Sequence, residues 1–192
     1  GVGVSCVNAL SDLLTVEVAR EGFVWTQSYQ AGIPTGPLEK MRPMKDGEGT
    51  GTKVHFHPDS SIFQTTEYRF DTLADRMREL SFLNKGLTIV ITDEREEDPE
   101  LASETYHSEG GLRAFVTYLD ETRTPIQETI LEIDGASGDV PVEVAMRYNA
   151  SYTANVLSFV NNINTHQAAT PTPGFPRALP RTHKGAAAHQ HP

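Results

Sequence analysis

Two short stretches of this chain combine residue types that do chemistry. The first is Gly1-Val2-Gly3-Val4-Ser5, which runs straight into an apolar helical pattern. Glycines let a backbone approach a bulky anion closely, and the free N–H groups of a first helical turn carry the positive end of the helix dipole. Phosphate is the expected guest of Gly1 and Gly3, with Val2 and Val4 offering backbone N–H groups rather than side chains. Ser5 either adds a hydroxyl or satisfies backbone donors as a helix N-terminal residue. A tight loop before a core helix would look the same, so this motif needs company. The second stretch, Gly49-Thr50-Gly51-Thr52-Lys53-Val54-His55-Phe56-His57, enters a strand at Thr52. Taken alone, Thr52 is a β-former and Arg20 a surface strand residue. His55 and His57 share a strand face, but no third ligand is spaced to complete a metal site. Cys6 reads as a small core filler. No nucleophile with its base, paired catalytic carboxylates or Walker-type loop is present.

These residues need elements to hold them. Val4, Val7, Leu10 and Leu14 recur at helical spacing and predict a short buried helix. Residues 15–20 and 23–29 are β-rich and meet at Glu21-Gly22, a hairpin turn. Residues 32–49 are dense in Gly, Pro and charge and predict an exposed connection before a strand at 52–57. Leu73, Met77, Leu80 and Leu83 form one helix face, capped by Asp71 or Thr72 and ended by Lys85-Gly86. Residues 87–92 predict a central strand, and 93–104 a solvated acidic loop. Beyond Gly110-Gly111 come a helix at 112–119 and strands at 129–134, 140–148 and 155–161, with turns at Asp134-Gly135 and Ser137-Gly138. The shift to a strand-rich segment predicts a domain boundary near Gly110.

The 192 residues carry a formal net charge of −10, which argues against broad electrostatic capture of DNA by this stretch. With 38% apolar residues the chain can build a packed core. Its one cysteine, Cys6, forms no internal disulfide, and no long apolar span is present, so a reducing cytoplasm and no membrane are expected.

The two opening stretches, together with Arg78-Glu79-Leu80-Ser81-Phe82-Leu83-Asn84, Glu109-Gly110-Gly111, Tyr148-Asn149-Ala150-Ser151-Tyr152 and 159–165, resemble the ATPase region of the gyrase B and topoisomerase IV type, with gyrase preferred. That region belongs to the GHKL ATPases, shared with heat-shock chaperones, mismatch-repair proteins and histidine kinases. The resemblance covers residues 1–165. It implies an α+β fold: the C-terminal half of a GHKL-type sandwich ATPase domain over 1–110, then the start of a ribosomal-S5-like transducer domain over 111–165. The segment 166–192 departs from the family pattern through Pro173, Pro176 and Pro180 and is expected to be disordered.

The resemblance also implies roles. Gly1, Val2, Gly3, Val4 and Ser5 would hold the ATP phosphates; Gly51 would let the backbone approach, and the Thr52 hydroxyl would join a water and an Asp in reading the adenine edge. Arg20 matches the arginine at the pocket mouth where aminocoumarin-type inhibitors dock. The general-base Glu, the Asn that holds magnesium and a transducer lysine would lie outside this chain, so an internal fragment, inactive alone, is expected. Implied partners are the gyrase A-type subunit, a second B-type protomer joined by ATP-dependent dimerisation, and DNA. A non-catalytic nucleotide-binding or interaction module is the reading from another class.

Overall fold

The computed structural model of the chain describes residues 2–165. Its fold is α+β, and the chain divides into two compact units between Tyr68 and Arg69. The expectation of disorder over 166–192 lies outside the described residues.

The first unit is one helix and one antiparallel sheet. Helix α1 (Val2–Ala9) leads directly into β1 (Ser11–Arg20), which pairs on one side with β2 (Phe23–Gln30) and on the other with β5 (Gly51–Pro58). Two short strands, β3 (Ile33–Pro34) and β4 (Glu39–Pro43), add to the far edge of β2. The predicted turn at Glu21-Gly22 is present, with φ of 55° and 79°. Positive φ at both central residues matches the twist of the flanking strands and fixes the register Arg20 to Phe23. The 32–49 connection, expected to be exposed, is largely so, and it uses β3 and β4 to widen the sheet.

Strand alternation sorts the side chains by face. Thr52, Val54 and Phe56 of β5 lie opposite Val18, Val16 and Leu14 of β1, which in turn face Trp25, Gln27 and Tyr29 of β2. The other face is mixed: Lys53 sits across from Glu17, His55 from Thr15, and Thr15 bonds Ser28 at 3.1 Å, while Val24, 3% exposed, lies on it opposite Ala19. Leu14, 1% exposed, anchors the apolar face. Helix α1 covers the Phe56 end of that face, with Cys6, Val7 and Leu10 forming a groove of about 330 Å³ with Phe56, Pro58, Phe63 and Tyr68. The helix is less buried than its spacing predicts. No α1 residue is fully buried, and Cys6, expected in the core, is exposed. The reason is contact at one end only: the Cys6–Leu10 turns meet the sheet, while Val2 and Val4 stand clear of it.

The second unit is built on α2 (Phe70–Leu83). The helix starts one residue before the expected caps, from an Arg69 that supplies no capping side chain, and Asp71 in the first turn suits the dipole. Strand β6 (Thr88–Thr92) pairs with β7 (Ser103–His107), and a short α3 (Pro99–Ala102) lies between them. The 93–104 stretch is therefore partly ordered, and β6 is not a central strand: among the described residues β7 is its one partner. Helix α4 (Gly111–Leu119) packs on α2. A hairpin of β8 (Leu131–Ser137) and β9 (Val140–Met146) follows, then a small one of β10 (Phe159–Val160) and β11 (Ile163–Asn164). The β8–β9 turn is Gly138-Asp139, with Gly138 at φ 63°, whereas the Asp134-Gly135 pair lies inside β8. The sequence boundary expected near Gly110 falls inside this unit.

Candidate nucleotide site

Within the first unit, Thr52, the second residue of β5, lies directly across from Val18, and Arg20 lies two residues further along β1 on the same face. Diagonal neighbours of this kind stand about 7–8 Å apart. The Arg20 guanidinium pairs with Glu21 at 3.1 Å and is largely solvent-exposed, which leaves it free to exchange that partner for a ligand. Val18, Arg20, Glu21, Trp25 and Leu38 line an open groove of about 340 Å³ beside Thr52. A Cβ built on Gly51 meets no atom within 4 Å, so the strand entry borders open volume.

The phosphate candidates lie on the same side of the sheet. Val2, Gly3, Val4 and Ser5 form the exposed first turn of α1, which carries no acidic residue, and a Cβ on Gly3 would meet no atom within 4 Å. An uncluttered helix N-terminus without opposing charge fits an anion. Gly1 lies outside the described residues. The structure thus groups Gly51, Thr52 and Arg20 at one end of the β1–β5 pair. Val2 to Ser5 belong to the helix that rests on the other end, with Pro58, the residue opposite Ser11, about 20 Å along β5 from Thr52.

Other candidates resolve differently. His57 donates through Nδ1–H to the Asp12 carboxylate at 2.8 Å, and its face partner His55 lies across from Thr15. Among the described residues no three His, Cys, Asp or Glu side chains gather as a metal site. No helix of the described residues is long and apolar enough to cross a membrane.

Two pairs of contributors escaped the sequence reading. Val18 and Trp25 floor the groove next to Thr52, a role that requires the β1–β5 register. Arg42 and Glu48 clamp the loop that delivers Gly49-Thr50-Gly51, with Nη1 and Nη2 donating to the two carboxylate oxygens at 2.8 and 2.7 Å. The Arg42 bonds, with the Lys45 backbone N–H, hold the Glu48 carboxyl at a pKa of about 2.

The chain is 50% identical over 189 residues to the DNA gyrase B protein of Eisenibacter elegans, a match covering 97% of this chain and 39% of that protein. It also superposes on the 43K ATPase domain of Thermus thermophilus gyrase B, in complex with an aminocoumarin, with a TM-score of 0.79 and 33% identity. The chain is thus similar to DNA gyrase B proteins along nearly all of its own length. That second match covers 98% of the chain and 51% of the solved one. The gyrase B protein of Halalkalibacterium halodurans is 50% identical over 182 residues, 94% of this chain and 28% of that protein. The gyrase B structure from Myxococcus xanthus gives a TM-score of 0.71 at 26% identity over 81% of this chain and 44% of that one. The family model for DNA gyrase B matches residues 111–191. The chain therefore spans well under half the length of the curated gyrase B relatives named here.

Proposed function

We propose that this chain is part of the ATP-binding subunit of a DNA gyrase, in which ATP binding and hydrolysis drive strand passage and negative supercoiling. Gly51 and Thr52 would meet the adenine, and Gly1, Val2, Gly3, Val4 and Ser5 the phosphates. The observation that carries the reading is the shared sheet face: Thr52, Arg20 and helix α1 all belong to the same side of one sheet.

In this reading the Thr52 hydroxyl, fixed on a strand, distinguishes an amino-bearing purine edge from one that lacks it. Arg20 stands at the mouth, where a planar ligand with an acceptor carbonyl would find a charged donor. An aminocoumarin, the ligand of the Thermus thermophilus structure, has that chemistry. ATP would come with Mg2+, whose protein ligand the family places outside these residues. Residues 1–110 would be ATPase domain and 111–165 the start of the transducer, a division supported by the family model beginning its match at Gly111. The partners would be the A-type subunit, a second B-type protomer and DNA, in the cytoplasm.

The test uses Thr52→Val and Thr52→Ser in the longer gyrase B protein, with a non-hydrolysable ATP analogue measured by calorimetry. Valine keeps the shape and removes the hydroxyl, so affinity falls about tenfold, while serine restores it. Equal affinity for both variants would remove Thr52 from the site. The 192-residue chain itself is expected to hydrolyse no ATP above a protein-free control.

A further inference from the structure

We infer that the first unit's sheet carries a second ligand site beyond Thr52, on β1, β2 and β4, which takes a planar aromatic ring bearing one carboxylate. It goes beyond the nucleotide reading, in which Arg20 stands alone at the pocket mouth, and it does not depend on Thr52 meeting a base.

The site is a row of side chains across three strands. Val18 and Arg20 of β1 lie opposite Trp25 and Phe23 of β2, and Lys40 of β4 lies opposite Trp25 on its other side. Alternation places all five on one face. Lys40 reaches that face through a one-residue shift in register: β2 passes from Val24 to Trp25 while β4 passes from Arg42 to Lys40, which leaves Met41 with no residue opposite. Without the extra residue Lys40 would pair with Thr26 and lie on the opposite face. Bulges of this kind re-aim a side chain. The half-buried Val18 and Trp25 form an apolar floor, and Leu38, 60% exposed, forms a wall of the 340 Å³ groove above it.

Two cations flank Phe23 at one end of this floor. The Lys40 Nζ lies 3.5 Å from the Phe23 ring centroid and 5.2 Å from that of Trp25. Among the described residues Lys40 forms no ion pair, so the faces of these two rings are what its charge meets. Arg20 approaches Phe23 from the other side, because β1 and β4 both border β2 and stand about 10 Å apart. Glu21, which pairs with Arg20 at 3.1 Å, is the one carboxylate lining the groove, and both of those side chains are 73% exposed. An ion pair so open to water is weak and exchanges readily for a ligand. Two cations less one carboxylate leave a single positive charge, which matches a carboxylate better than a multiply charged phosphate. A carboxylate held over Phe23 accepts from Arg20 and Lys40 together, while the ring it is attached to stacks on Trp25 and covers Val18.

Trp25 is the chain's one tryptophan, so its indole N–H gives a single signal in a nitrogen–proton correlation spectrum. Titrating the labelled 192-residue chain with quinoline-6-carboxylate, and with the neutral quinoline-6-carboxamide of the same shape, tests the inference. The carboxylate should move the indole signal saturably, with a Kd on the order of 1 mM, and the amide should bind about tenfold more weakly. Lys40→Gln should cut that preference to about threefold or less, whereas Lys40→Arg should keep it. Both changes fall on an exposed side chain and leave the strand pairing in place. An unmoved indole signal, equal affinity for the two probes, or a preference that survives Lys40→Gln would overturn the site. Neither probe carries a purine or a phosphate, so the outcome is independent of the Thr52 titration.

Discussion

Asp120, at the C-terminal end of α4, accepts a hydrogen bond from Arg147 Nε at 2.9 Å, with both side chains almost wholly withdrawn from solvent. Asn149 donates to the other carboxylate oxygen at 2.8 Å. Burial alone would raise the Asp120 pKa, but the bonds from Arg147 and Asn149 and the nearby Arg123 outweigh it and hold the carboxyl below its ordinary range. A depressed folded-state value means the group stabilises the fold at neutral pH and loses that contribution as the pH falls below about 4. Asp120→Ala leaves the Arg147 guanidinium buried and unpaired, which costs about 3–5 kcal/mol. Urea unfolding followed by far-UV circular dichroism should show the loss near neutral pH and a smaller difference in acid. Equal destabilisation at both would deny the carboxylate its role.

Gly110→Ala should destabilise the second unit although its φ of −82° suits any residue. The new methyl would sit 2.9 Å from the Ala114 Cβ, closer than the two can approach, and overpacking of this kind costs about 1–3 kcal/mol. The double change Gly110→Ala with Ala114→Gly removes the clash and should recover most of the midpoint. If the single variant unfolds at the wild-type denaturant concentration, the helix start has room that the geometry denies.

Sequence alone disclosed the parts of the first unit governed by local rules. The Glu21-Gly22 turn fixes the register of β1 against β2, so Arg20 had to face Phe23 and Val18 had to face Trp25. Nothing local fixes the register of β5, which returns after the 32–49 connection; the nearness of Thr52 to Val18 and Arg20 is a tertiary fact. The spacing of Val4, Val7 and Leu10 announced a helix correctly. How deeply α1 is buried depends on which side the sheet contacts, and here only the Cys6–Leu10 end is engaged. Likewise the pattern of 87–92 said strand, but its lateral partner depends on the fold around it. The shift to a strand-rich pattern near Gly110 predicted a boundary there, but both sides of it fall in one compact unit, where Phe82, Phe115 and Phe159, far apart in sequence, meet only after α2 and α4 pack.

The Arg42–Glu48 pair gives a prediction specific to the loop before Thr52. With Arg42 in place, carbon-detected NMR should show the Glu48 carboxyl titrating at about 2. Arg42→Ala removes the leading cause of that depression and should return the midpoint toward 4.5, the ordinary glutamate value. Because the folded value is lowered, whatever order the pair lends to residues 43–50 persists across the whole neutral and mildly acidic range and fades only near pH 2. A Glu48 midpoint unmoved by Arg42→Ala would mean the clamp is absent in solution.

Gly3→Ala separates structural from ligand-binding duties within α1, because the two predict changes of opposite sign. Gly3 lies inside the helix, and its added methyl meets no protein atom within 4 Å. Alanine is the better helix former by about 1 kcal/mol, so the chain should become slightly more stable. Yet the same methyl occupies the open volume where the backbone would approach a phosphate, so the longer gyrase B protein carrying this change should lose affinity for an ATP analogue by tenfold or more, on the order of 1.4 kcal/mol. Thermal unfolding of the chain and calorimetric titration of the longer protein read the two effects separately. A more stable variant with undiminished nucleotide affinity would show that the phosphates do not approach the first turn of α1.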